Sequence, residues 1–320
     1  MKISVLGCGR WGTFIAWYLD SLEHEVSLWG RSSSKNMEQL IRERKNSYLT
    51  LTDSISLTSD IETAINTAEV VVISISAQQL RSFLTQIKEK GLKPKTLVLC
   101  MKGLENTTGK RLTEVVEDIF GDEVPCAVWV GPGHVQDYTK GIPNCMVIDS
   151  KDEELTKRIV DCFSSKLIRF YYGCDLIGSE IGAAAKNVIG IAAGVLDGMN
   201  LTSLKGALMA RGTKEVSRLI VAMGGHELTA YGLAHLGDYE ATVFSEYSQN
   251  RRYGEMFVKN EESSYLAEGV ATTKALMYLQ EKYAIELPIS TAVYDLIEKK
   301  MPAKEVIDAL FLRSIKDELS

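Results

Sequence analysis

The stretch Ile3-Ser-Val-Leu-Gly-Cys-Gly-Arg-Trp-Gly12 decides the fold. A short, mostly aliphatic run enters three glycines spaced Gly-x-Gly-x-x-Gly, and a helical pattern follows from Trp11 to Leu22. In a strand, turn and helix unit, Gly7 permits the tight turn, Gly9 lets a pyrophosphate approach the backbone, and Gly12 allows the helix to pack closely on the strand. The phosphates then sit at the positive end of the helix. The spacing alone is a weak signal. Its place between a strand and a helix predicts a dinucleotide-binding turn.

Outward from that turn, Ile3–Leu6, Val26–Trp29, Val70–Ile75, Thr96–Cys100, Ala127–Val130 and Cys145–Ile148 read as buried strands of a parallel sheet, joined by crossover-length segments. The alternation predicts an α/β fold, an N-terminal Rossmann-like doubly wound parallel sheet over residues 1–176. Beyond it, alanine-rich segments of helical period take over at 179–197, 202–224, 226–235, 263–283 and 288–315. These predict a C-terminal all-helical domain over residues 177–320. Ligands are expected in the cleft between the halves.

The end of the second strand selects the dinucleotide. An acid there would bind the ribose hydroxyls of NAD, but the chain reads Trp29-Gly-Arg-Ser-Ser33. Arg31 and Ser32 instead suit a 2′-phosphate, so NADP(H) is expected over NAD(H).

Composition narrows the class. Of 320 residues, 45% are hydrophobic and 24% charged, as in ordinary globular proteins. A net charge of -6 opposes nucleic acid as the main partner. The apolar runs fall short of a bilayer-crossing length, so no membrane span is expected. The opening residues enter a strand pattern at once and carry no secretory signal, which predicts a cytoplasmic protein. The six cysteines lack Cys-x-x-Cys spacing and the four histidines lack His-x-x-x-His spacing, so no metal site is expected. Gly103 to Lys110 resembles a P-loop, but the spacing between its glycines and Arg111 after the lysine break the pattern.

One polar pair interrupts an otherwise buried pattern. In Ala183-Ala-Ala-Lys-Asn-Val-Ile-Gly-Ile-Ala-Ala-Gly-Val195, Lys186 and Asn187 sit in a helix that is small or apolar on every side. A lysine there either snorkels to water or is desolvated with a lowered pKa. Beside a nicotinamide site, the second state suits a proton donor to a carbonyl being reduced.

Through Gly7-x-Gly-x-Trp-Gly12, Lys102-Gly-Leu-Glu105, Gly131-Pro132, Ala185-Lys-Asn-Val-Ile189, Arg211-Gly212, Gly232-Leu-Ala-x-Leu-Gly-Asp238, Ser248-x-Asn-Arg251 and Ala267-Glu-Gly269, the chain resembles the NAD(P)-dependent glycerol-3-phosphate dehydrogenases. The resemblance implies reversible reduction of dihydroxyacetone phosphate to sn-glycerol 3-phosphate, supplying phospholipid synthesis, by a homodimer. It implies that Lys186 is the general acid/base, with Lys102, Asn187, Asp238 and Thr242 around it. It places the substrate near Gly131 and Gly133, with Ser248, Gln249, Asn250 and Arg251 toward its phosphate. It assigns the cofactor to Gly7, Gly9, Arg10, Trp11, Gly12, Arg31, Ser32, Lys102, Val135, Gln249, Leu266 and Glu268.

Two departures qualify the likeness. Gln249 stands where the family has an arginine on phosphate and cofactor, which leaves Arg251 or Arg252 to reach in. His134 stands where the family has an aromatic residue. Two other readings stay open at this point: a dehydrogenase of the same fold acting on another phosphorylated keto compound or a β-keto acid, and a non-catalytic nucleotide-binding regulator.

Overall fold

The computed structural model describes residues 1–261, 267–315 and 317–318. In chain order the strands are β1 (Lys2–Leu6), β2 (Glu25–Trp29), β3 (Ser56–Thr58), β4 (Val70–Ile73), β5 (Leu97–Leu99), β6 (Cys126–Val130), β7 (Asn144–Ser150) and β8 (Ile168–Tyr172). The helices of this half are α1 (Arg10–Asp20), α2 (Lys35–Glu43), α3 (Ile61–Asn66), α4 (Leu80–Glu89), α5 (Leu112–Phe120), α6 (Val135–Tyr138) and α7 (Glu153–Phe163). The helical half follows with α8 (Leu176–Gly198), α9 (Lys205–Ala222), α10 (Gln249–Val258), α11 (Glu268–Tyr283), α12 (Pro288–Ile297) and α13 (Ala303–Phe311).

The strands form one sheet in the order β3-β2-β1-β4-β5-β6-β7-β8. Val5, Leu28, Val72 and Val98 bury against one layer, while Leu6, Val71, Ile73, Leu97 and Leu99 bury against the other. Both faces are covered, which is why these strands read as continuous apolar runs. The sheet is parallel except at one junction. β7 runs antiparallel to β6, contrary to the expectation of parallel pairing throughout. The connection contains only the one-turn α6, too little helix to carry the chain back for a parallel crossover.

Strands β3 and β8 escaped the periodicity. β3 has three residues, and β8 is an edge strand with Arg169, Tyr171 and Tyr172 exposed. In the helical half, the segment 226–235 yields only a 3₁₀ turn at Glu227–Tyr231 in place of a helix. A second 3₁₀ turn, Leu236–Asp238, leads into a π-helical turn, Glu240–Phe244. The segment 288–315 divides into α12 and α13, with Pro302 capping α13. Helix α10 falls outside the segments of helical period.

The helical half is built around α8. It is the one helix among the described residues long and apolar enough to cross a membrane, and 83% of its apolar window is buried inside the protein. It packs on α9, α10, α11 and α12. Against α10 the two backbones nearly touch: a Cβ on Gly194 would lie 1.8 Å from the Arg251 carbonyl oxygen, and one on Gly254 would lie 2.1 Å from that of Ile191. Small residues at this crossing bring the start of α10 next to Asn187.

Buried polar links fix α8 to the sheet half. Glu180 accepts from Arg111 Nη1 at 2.7 Å, Thr113 Oγ1 at 2.6 Å and the Thr113 amide at 3.0 Å. Ser179 donates to Asp149 at 2.7 Å. With its first turns held in this way, α8 carries Lys186 to a set place below the C-terminal ends of the strands, where ligands bind in sheets of this kind.

Candidate active site

The glycine turn has the shape its spacing predicts. Gly7 has φ +123°, and a Cβ there would meet the Ser74 carbonyl oxygen at 2.1 Å. A Cβ on Gly12 would lie 1.9 Å from the Gly7 carbonyl oxygen. Gly9 differs: a Cβ there would have nothing within 4 Å, and no side chain caps the α1 N-terminus above it. The result is an open cradle of backbone donors at the positive helix end, which fits a dinucleotide pyrophosphate.

Around this cradle, Arg10 lies 5.8 Å over the Tyr48 ring, and Trp11 packs on Phe14 and Tyr138. Arg31 and Ser32 are exposed just past β2 with no carboxylate in the Trp29 to Ser34 turn. Val135 is buried at the start of α6. Glu268, the first residue of α11, accepts from Ser76 Oγ at 2.8 Å just past β4, so it spans the two halves. Burial raises its carboxyl pKa. Leu266 lies outside the described residues.

A cluster of charged side chains lies between the halves. Lys186 from α8 and Lys102 from the loop after β5 both approach Asp238 Oδ2 at 2.7 Å. Lys102 also donates to the Gly131 carbonyl, and Lys186 donates to Thr242 Oγ1 at 2.8 Å. Asp238 is 1% exposed, and its Oδ1 is buried without a hydrogen-bond partner. Burial pulls the Lys186 pKa down to about 8; Asp238 opposes that fall, and Lys102 reinforces it. The lysine is therefore poised to exchange a proton near neutral pH.

Asn187 ties three elements together. Its Nδ2 donates to the Lys102 carbonyl at 2.8 Å, and its Oδ1 accepts from Asn250 Nδ2 at 3.0 Å. Asn250 Oδ1 in turn accepts from the Gly269 amide at 2.9 Å. Ser248 caps α10, and Gln249 follows at the partly buried first position. Arg251 faces away from Asp238. It pairs with Asp197, where Lys205 also lies at 2.7 Å, and donates to the Ser245 carbonyl at 3.1 Å. Gly133 precedes His134, whose ring meets Tyr247 edge-on at 5.6 Å. Burial first, and then Lys186, lower the His134 pKa, so the ring stays neutral.

The structure thus gathers Lys102, Lys186, Asn187, Asp238 and Thr242 at one point, with Gly131 and Asn250 directly attached. His235 and Tyr239 join them on the far side of Asp238, although no motif singled them out. Their only sequence signal is position, three residues before Asp238 and one after it. A separate apolar cleft of about 370 Å³ lies among α8, α9, α12 and α13. None of Lys102, Lys186 and Asp238 lines it.

Comparison with known proteins gives the family and the fold. Residues 2–156 match the N-terminus of the NAD-dependent glycerol-3-phosphate dehydrogenase family, and residues 175–308 match its C-terminus. The chain is 35% identical to glycerol-3-phosphate dehydrogenase [NAD(P)+] of Chlorobium phaeobacteroides (strain BS1), over 100% of this chain and 99% of the relative. It is 35% identical to the protein of that name from Thermoanaerobacter sp. (strain X514), with the same coverage. Its fold is similar to the crystal structure of glycerol-3-phosphate dehydrogenase from Coxiella burnetii, with TM-score 0.89 and 26% identity over 98% of this chain and 99% of that one.

Proposed function

The chain belongs to the NAD-dependent glycerol-3-phosphate dehydrogenase family, and from that premise we propose that it reduces dihydroxyacetone phosphate to sn-glycerol 3-phosphate, reversibly, for glycerophospholipid synthesis. The observation that carries the reading is the buried Lys186 ammonium paired with Asp238 beside a dinucleotide cradle. A nicotinamide dinucleotide, when bound in that cradle, would supply the hydride.

The residues of this chain do the rest. Gly7, Gly9 and Gly12 shape the pyrophosphate cradle, while Arg10, Trp11, Val135, Gln249 and Glu268 line the remaining cofactor surface. Arg31 and Ser32 receive a 2′-phosphate, which favours NADP(H) over NAD(H). Lys186 Nζ gives its proton to the carbonyl oxygen as negative charge develops there, and takes it back in the oxidising direction. Lys102 adds a second positive charge at that oxygen. Asp238 orients both ammoniums and keeps Lys186 protonated often enough to act. Thr242 and Asn187 hold the two lysines from the side.

The substrate phosphate meets Ser248, Gln249 and Asn250 at the α10 N-terminus, near Gly131 and Gly133. Arg251 contributes through its ion pair with Asp197, which anchors that helix end. We extend the reading to a cytoplasmic homodimer. Oxidation of NADPH and of NADH by the purified protein with dihydroxyacetone phosphate, beside Lys186→Ala, tests it. We expect turnover that falls by roughly 10²–10⁴-fold in the variant while NADPH binding survives. A folded wild-type protein that binds NADPH but does not turn over this substrate refutes the assignment and leaves another keto compound.

A further inference from the structure

We infer that His235 is a positioning residue for the proposed reaction: its imidazole, held between the Gly182 carbonyl of α8 and the Tyr239 hydroxyl, fixes the turn that presents Asp238 to the two lysines. His235 is fully buried, with Nδ1 2.8 Å from the Gly182 oxygen and Nε2 2.7 Å from the Tyr239 hydroxyl. A carbonyl only accepts, so Nδ1 carries the proton and Nε2 accepts from tyrosine. Burial holds the ring pKa down at about 4, so this neutral tautomer persists at working pH.

The anchors lie on either side of the reactive lysine. Gly182 is one helical turn before Lys186, and Tyr239 packs in the same buried cluster as Ile189, about one turn after it. Between them, the Asp238 amide donates to the His235 carbonyl at 3.0 Å. The carboxylate lacks a second fastening of its own, because Oδ2 serves both ammoniums and Oδ1 has no partner. Its place is therefore set by the segment that carries it, and that segment is held through His235 and Tyr239. The groups facing Lys186 are Asp238 and Thr242 from this segment, Lys102 from the loop after β5, and His134 from the loop after β6. Loosening the turn removes the one negative charge among them.

The inference rests on the dehydrogenase reading, so its test has a part independent of turnover. His235→Ala, His235→Asn and Tyr239→Phe are compared with wild type by the pH dependence of kcat for dihydroxyacetone phosphate reduction. The Lys186 ammonium is also titrated by ¹⁵N NMR without cofactor. We expect His235→Ala to lower kcat about tenfold with KM nearly unchanged, and to move the Lys186 titration and the falling limb of kcat to lower pH. His235→Asn, whose amide still donates to Gly182, restores most of both, and Tyr239→Phe falls between. If His235→Ala does not fold, Tyr239→Phe carries the same comparison. A folded variant whose Lys186 titration matches wild type, or a loss that His235→Asn leaves uncorrected, overturns the inference. Failure of wild type to turn over the substrate refutes the dehydrogenase reading alone, because the NMR titration still decides the role of His235.

Discussion

Lys102 and Lys186 reach a single oxygen, Oδ2 of Asp238, each at 2.7 Å. One lysine comes from the sheet half and the other from the helical half, so the carboxylate is also the electrostatic link across the cleft. Two cations on one anion leave a net positive charge at the point where an alkoxide would form. That surplus is what a carbonyl reduction requires.

Asp238→Asn removes the anion and keeps the shape. The buried Lys186 ammonium and the partly exposed Lys102 then lack their shared counter-charge, and loss of one partner of a buried pair costs about 3–5 kcal/mol. We expect a clear fall in Tm, together with a large loss of kcat. A variant with wild-type Tm contradicts this account of the cluster.

The pH profile has a defined sign. Reduction needs the protonated lysine, so kcat should be level at low pH and fall as pH rises through the Lys186 pKa, about 8 in the free protein. Oxidation should show the mirror limb. In Asp238→Asn the raising influence of the carboxylate is gone, so both limbs move to lower pH. Stopped-flow kinetics across that range, in both directions, measures this.

The glycines of the cofactor turn separate folding from binding. Gly7→Ala places a Cβ 2.1 Å from a backbone oxygen at φ +123°, so it should yield unstable or insoluble protein. Gly9→Ala meets no protein atom and should keep the wild-type Tm, while its methyl intrudes on the pyrophosphate. Thermal denaturation and NADPH titration of the two variants should therefore give opposite patterns.

Arg31→Ala tests cofactor choice. A charge-assisted contact to a phosphate is worth about 1.5–3 kcal/mol, or roughly 10–100-fold in affinity. Binding of NADPH should weaken by that factor while binding of NADH changes little. Equal changes for both, by calorimetry, would place Arg31 away from the 2′-phosphate.

Glu180→Ala probes the junction of the halves. It takes from the buried Arg111 its close, buried partner, leaving only Glu114 at 3.4 Å, and withdraws acceptors from Thr113. A loss of about 3–5 kcal/mol in denaturant unfolding is expected.

By itself, the sequence determined the wound sheet, the dinucleotide turn, the buried lysine helix and the family. Each of these rests on local order: a strand feeding glycines at fixed spacing, apolar runs covered on both faces, or an ordered series of short motifs. The antiparallel β7, the short β3, the half-exposed β8 and the division of the last helical segment were decided by tertiary structure, because connection length and edge position leave little trace in residue periodicity. The same holds at the site. Lys186, Asn187 and Asp238 stood out as residues, but the sharing of Asp238 Oδ2 by two lysines, the Asn187 relay and the turning of Arg251 toward Asp197 exist only after folding. His235 carried no sequence signal beyond its neighbours, since a histidine becomes a clamp only when packing brings a carbonyl and a hydroxyl to its two nitrogens. Hydrogen bonds between distant segments depend on where the backbone has been carried, and only the packed core sets that.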